Sequence, residues 1–155
     1  MRVHLVFSVL LAGCIDTDPA VFVDPSIGAP SLTVETTALV TALSGGFSLA
    51  LHLGPRAASP STTGVSAASL VGEDGAVTLA PTLGFTSLPT LPTTVPVDDT
   101  VTVQVTLALQ DNLLPADATS TICGRNVKIR ALVEDSLRGV PVTIDSAPFT
   151  VGGCN

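Results

Sequence analysis

Apolar and polar residues alternate along much of this chain with a period of two, the pattern of a strand with one face in a core and one in water. Between Thr100 and Leu109, Val101, Val103, Val105, Leu107 and Leu109 fall on one side, while Thr102, Gln104 and Thr106 fall on the other. Phe47, Leu49, Leu51 and Leu53 repeat the pattern after Ser44-Gly45-Gly46, and Val127, Ile129, Ala131 and Val133 repeat it again near the C-terminus. Further strands are expected over Leu32 to Thr36, Ala67 to Val71 and Ala76 to Ala80, the last two joined across Glu73-Asp74-Gly75.

No segment carries a 3.6-residue period, and Pro55, Pro60, Pro81, Pro89, Pro92, Pro96 and Pro115 would interrupt helices. About seven to nine short strands in one antiparallel β-sandwich are expected, immunoglobulin-like in architecture only. There is no Trp to sit in an immunoglobulin core. The proline-rich stretch Thr86 to Val97 is expected to be an extended crossover between the sheets. Residues 15 to 30, with Pro19, Pro25 and Pro30, read as a tether leading into the first strand, so the folded domain is placed at 31–155.

Composition narrows the core and the partners. Hydrophobic residues make up 46% of 155 residues but aromatics only 3%, so the core must be aliphatic. A chain of this length buries roughly two-thirds of its unfolded surface in one core. Acidic residues outnumber Lys and Arg by 13 to 6, which disfavours nucleic acid as a partner. No apolar run approaches the roughly 20 residues of a membrane-spanning helix.

The N-terminus carries the sharpest motif. Met1-Arg2 is a short positive segment, and Val3 to Leu11 is apolar apart from His4 and Ser8, the layout of an export signal. The run ends in Leu11-Ala12-Gly13-Cys14, which resembles the lipobox of bacterial lipoproteins. That resemblance implies a signal peptide over 1–13, cleavage before Cys14, a lipidated N-terminus and tether over 14–30, and a palmitate-bearing anchor on the Cys14 thiol. One acyl chain holds a protein only marginally, whereas two or three hold it stably. Residue 15 is Ile rather than Asp, so the resemblance further implies the outer membrane of the cell envelope.

Cysteine parity agrees with export. There are three cysteines, and lipidation of Cys14 leaves Cys123 and Cys154 to pair in an oxidising compartment. Asn126 to Asp135 and Val140 to Val151 read as a hairpin. With Arg138-Gly139 as a two-residue loop, Val133 and Ile144 are opposed, and so are Cys123 and Cys154. Under that register Phe149 and Val151 point away from the core. A bulge near Ser146-Ala147-Pro148 would turn them inward, setting Ile129 against Phe149 and Val127 against Val151. The cysteines would then be offset by one residue, still within bridging reach.

Catalytic chemistry finds little to stand on. Downstream of Cys14 the one histidine is His52, on the outward phase of a strand, and Gly64-Val65-Ser66 lacks the second glycine of a nucleophile elbow. The acidic doublets Glu73-Asp74, Asp98-Asp99 and Glu134-Asp135 adjoin strand ends, where turn chemistry explains them. Four of the five basic residues beyond the leader, Arg125, Lys128, Arg130 and Arg138, lie in the C-terminal hairpin, a candidate docking patch for an acidic protein or envelope polymer. The expectation is therefore a non-catalytic, lipid-anchored binding or scaffolding module with no metal or other cofactor. The alternative is a sensor module that binds calcium or a small ligand.

Overall fold

The computed structural model describes residues 20–37, 39–115 and 117–154. The proposed signal peptide and Cys14 lie outside the described residues.

Among the described residues twelve strands form in chain order: β1 (Asp24–Ile27), β2 (Ser31–Thr36), β3 (Thr41–Leu53), β4 (Ser61–Gly72), β5 (Thr78–Ala80), β6 (Thr86–Leu88), β7 (Thr93–Val95), β8 (Asp99–Leu107), β9 (Leu113–Leu114), β10 (Asn126–Asp135), β11 (Val142–Asp145) and β12 (Phe149–Thr150). They build two antiparallel sheets packed face to face. In the first, β3 is flanked by β1 and β2 on one edge and by β8 and β9 on the other, with β6 outside β8. In the second, β10 and β4 lie at the centre, with β11 and β12 along the β10 edge and β5 and β7 along the β4 edge. Where two short strands share an edge they act as one interrupted strand.

The period-two faces meet between the sheets. Leu49, Leu51 and Leu53 of β3, Val103, Val105 and Leu107 of β8, Leu70 of β4, and Val127, Ile129 and Val133 of β10 are all buried in one cluster. Aliphatic side chains fill this space almost alone, with Phe47 the one fully buried aromatic among the described residues. Gly45 lets the long strand β3 pair on both edges. It has a φ of 121°, and a Cβ there would come within 2.1 Å of the Ser31 carbonyl oxygen.

Two sides of the sandwich need closing, because unpaired edges invite association. The crossover 86–97 closes one by contributing β6 to the first sheet and β7 to the second. On the other side, the N-terminal segment meets the end of β10, and the C-terminal tail reaches back to β2. Gly152 accepts from Val34 N and donates to the Leu32 carbonyl, both at 2.9 Å, forming a parallel bridge. The tail thus pairs with β10 through β12 and with β2 through Gly152.

Four expectations are corrected. The strand expected over 100–109 ends at Leu107, and Leu109 begins a 3-10 turn and is exposed instead of lying in the core. The sandwich begins before residue 31, because β1 pairs with β3 and Val23 is buried against the core. One turn of helix, α1 (Ala118–Ile122), forms where no helix was expected and buries Ala118 and Ile122 at one end of the core. The register of the last hairpin also differs. Arg130 faces Asp145 and Val133 faces Val142, so the chain reverses over a longer turn than Arg138-Gly139. The bulge at Ser146–Pro148 is present and brings Val127 opposite Phe149. There the Ser146 hydroxyl accepts from Ile129 N at 3.0 Å, filling a gap in the ladder.

Candidate functional site

The longer turn has a local cause in Asp135, whose carboxylate is buried at the end of β10. Oδ1 accepts from Leu137 N at 2.9 Å and from the Ser61 hydroxyl, and Oδ2 accepts from Val23 N at 2.9 Å. The Asp135 carbonyl accepts from both Arg138 N and Gly139 N at 3.1 Å. A short acidic side chain that bonds the backbone two residues on is a strong turn former. Here it also reaches across 112 residues of sequence to hold the chain where it enters the fold.

Ser136 extends the network. Its hydroxyl accepts from Thr62 N at 2.9 Å and lies 3.2 Å from the Ser61 hydroxyl, while Ser61 and Thr63 are both fully buried. A buried carboxylate is costly unless its oxygens are satisfied. Three donors converge on Asp135, which makes this cluster a structural clasp.

Arg138 completes it from outside. Its guanidinium carbon lies 5.2 Å from the centre of the Phe22 ring, and Nη2 donates to the Val23 carbonyl at 3.3 Å. The buried Nε has no hydrogen-bond partner, so the ring face and the Val23 carbonyl hold the side chain. Arg138 therefore packs onto the N-terminal segment and is not displayed with the other basic residues.

Those residues are dispersed. Arg125 precedes β10 and Arg138 follows it, and a ten-residue strand spans about 33 Å. Arg125 lines a surface cleft of about 620 Å³ together with Glu73, Asp74, Thr121 and Asn126. Arg130 forks onto Asp145, Nε to Oδ1 at 2.7 Å and Nη2 to Oδ2 at 2.8 Å, and Nη1 donates to the Gly75 carbonyl at 3.1 Å. Hydrogen bonding to Asp145 raises the Arg130 pKa, and hydrogen bonding to Arg130 holds Asp145 below the usual carboxylate range. The Lys128 charge adds to the effect on Asp145. Only Lys128 and Arg130 share one outer face, and there Arg130 is paired with Asp145 of the facing strand. The hairpin register concealed this from sequence reasoning, since a two-residue loop would set Ala147 opposite Arg130.

The remaining candidates occupy ordinary positions. His52 is half-buried with Nδ1 3.0 Å from the Thr100 hydroxyl. Asp74 accepts from Ala76 N within its turn at 2.9 Å, and Asp99 accepts from Thr100 N at 2.7 Å. Glu134 and Asp135 point to opposite faces, one exposed and one buried. Among the described residues no group of three or more His, Cys, Asp or Glu side chains could hold a metal ion.

Cys123 and Cys154 are joined by a disulfide with their Cα atoms 5.5 Å apart. The bridge does not span a pair of ladder residues. Cys123 ends α1, and Cys154 lies in the tail beyond Gly152, so the bond ties the helix to the segment that pairs with β2. Gly153, at a φ of 70°, turns the tail there, and a Cβ would come within 2.3 Å of the Val34 carbonyl oxygen.

No protein-family model, curated protein or solved structure matches this chain. The functional reading therefore rests on its residues and their geometry alone. No helix among the described residues is long and apolar enough to cross a membrane.

Proposed function

We propose that this chain is a non-catalytic, lipid-anchored protein of the bacterial cell envelope, in which the β-sandwich binds or scaffolds another envelope component. One observation carries the reading. Pairing of Cys123 with Cys154 accounts for two of three cysteines and leaves Cys14, the one that ends the lipobox-like Leu11-Ala12-Gly13-Cys14. A disulfide also suits an exported protein, since thiols are kept reduced in most cytosols.

Two further features support the reading. The most buried polar cluster, around Asp135, spends its hydrogen bonds on holding the entering chain. His52, the one histidine beyond the leader, is engaged by Thr100 on an outer strand face. Ile15 after the proposed acylation site favours the outer membrane as the destination.

Fractionation of the full chain against Cys14→Ser tests the anchor. The native chain is expected with membranes and the variant in the soluble fraction, and a variant that still pellets with membranes overturns the anchor. Crosslinking in intact envelopes then tests the binding role. Lys128→Glu probes the outer face of β10 without breaking the Arg130–Asp145 pair, and an unchanged set of crosslinked neighbours removes that face from consideration.

A further inference from the structure

The lipid-anchor reading places the membrane relative to the sequence, and the fold sets which end of the sandwich faces it. The chain enters at the end of β3 marked by Leu53, where Asp24 of β1 faces His52 and Asp99 of β8 faces Leu53. The opposite end of β3 carries the turn to β2, with Leu39 at its tip. Thirteen residues of strand separate the two poles by about 40 Å. Cys14 precedes Val23 by nine residues, which reach at most about 30 Å when fully extended.

The entry pole is apolar where the chain arrives. Val21 is 43% exposed, Phe22 40%, and Val140 on the adjoining β10–β11 turn 61%. Val23, the next residue, is fully buried and bonded at both backbone groups, its N–H to Asp135 and its carbonyl to Arg138. Phe22 is therefore held in place beside Arg138. An apolar ring backed by a guanidinium is a combination suited to the boundary between headgroups and acyl chains.

From this arrangement we infer that the entry pole rests on the lipid surface, with Val21, Phe22 and Val140 inserted at the interface and Leu39 directed away from it. A short tether raises the local concentration of the bilayer at this pole, so a contact too weak to bind a free domain becomes populated in an anchored one. Asp24, Asp98 and Asp99 lie at the same pole, and the net charge of the whole chain is −7. The contact is therefore made by apolar side chains on a zwitterionic surface and not by attraction to anionic lipid. The inference rests on the lipid anchor, and its test separates the two.

The chain contains no Trp and no Tyr, so a single introduced Trp is the sole indole emitter. The lipidated full chain carrying Phe22→Trp, Val21→Trp or Leu39→Trp is reconstituted in phosphatidylcholine vesicles with brominated acyl chains, and its mass is measured first. The expected result is a blue shift and loss of emission at positions 21 and 22, with Leu39→Trp emitting as in buffer. Lipid on Cys14 with no quenching at 21 and 22, or with equal quenching at 39, overturns the orientation alone. A mass without lipid overturns the anchor and the orientation together.

Discussion

Arg130 and Asp145 stand directly opposite each other across the β10–β11 ladder, joined by two parallel hydrogen bonds of 2.7 and 2.8 Å. The pair holds the folded-state pKa of Asp145 below its ordinary value of 3.8. Its contribution to stability is thus full above the unfolded-state value, fades as the pH falls below it, and is gone once the carboxyl is protonated in the fold. The difference in urea midpoint between the native chain and Asp145→Asn is expected to be constant well above the ordinary carboxylate range and to shrink as the pH falls through and below that range. A difference of unchanged size in strong acid would assign the effect of the substitution to packing.

Asp135 is expected to matter more than any basic residue of the hairpin. Asp135→Ala leaves Val23 N, Leu137 N and the Ser61 hydroxyl without their acceptor in a buried setting. The expected loss is about 2–4 kcal/mol by urea unfolding. Proton exchange at the Val23 amide is expected to accelerate beyond what global destabilisation explains, because this carboxylate clasps the entering chain. Ser61→Ala removes one donor and no acceptor of the backbone, so its cost is expected to be smaller, about 1 kcal/mol.

Reduction of the Cys123–Cys154 bridge releases a loop constraint between residues 31 positions apart. The chain-entropy relation gives about 3–4 kcal/mol for a loop of this length. The double variant Cys123→Ser with Cys154→Ser is expected to lose that amount in equilibrium unfolding and to become insensitive to added dithiol. Amides of Val34 and Gly152 should exchange first, since the bond holds the tail that pairs with β2.

Gly45→Ala tests the central strand. A Cβ at this position meets the Ser31 backbone at a φ that side chains rarely adopt. Destabilisation of more than about 1 kcal/mol is expected in thermal or urea unfolding. Gly139→Ala, also at positive φ but with nothing within 4 Å of the added Cβ, should cost less. Equal costs at the two sites would mean that backbone conformation outweighs the close approach to β2.

The strand faces and the disulfide partners were readable from the chain. Alternation identifies Leu49, Leu51, Leu53, Val103, Val105, Val127, Ile129 and Val133 as core positions because the side-chain period of a strand is two wherever the strand lies. The hairpin register was off by two residues between β10 and β11, and a slip of two leaves every side chain on its proper face. That is why the core and the bulge at Ser146–Pro148 were placed correctly while the cross-strand partner of Arg130 was not. The short strand β1 and helix α1 carry too few residues for periodicity to register, and packing forms them.

By itself the sequence determined an all-β chain with an aliphatic core, a lipobox-like N-terminus and a pair of cysteines able to bridge. These follow from local period, composition and parity, which do not depend on where distant segments meet. Tertiary structure alone decided that Asp135 turns inward to hold Val23, that Asp145 takes up Arg130, and that Gly152 crosses to β2. Each joins residues at least 15 positions apart, through a turn geometry or a register that hydrophobic pattern leaves open. Whether a charge is displayed or paired is settled only when the facing strand has its register.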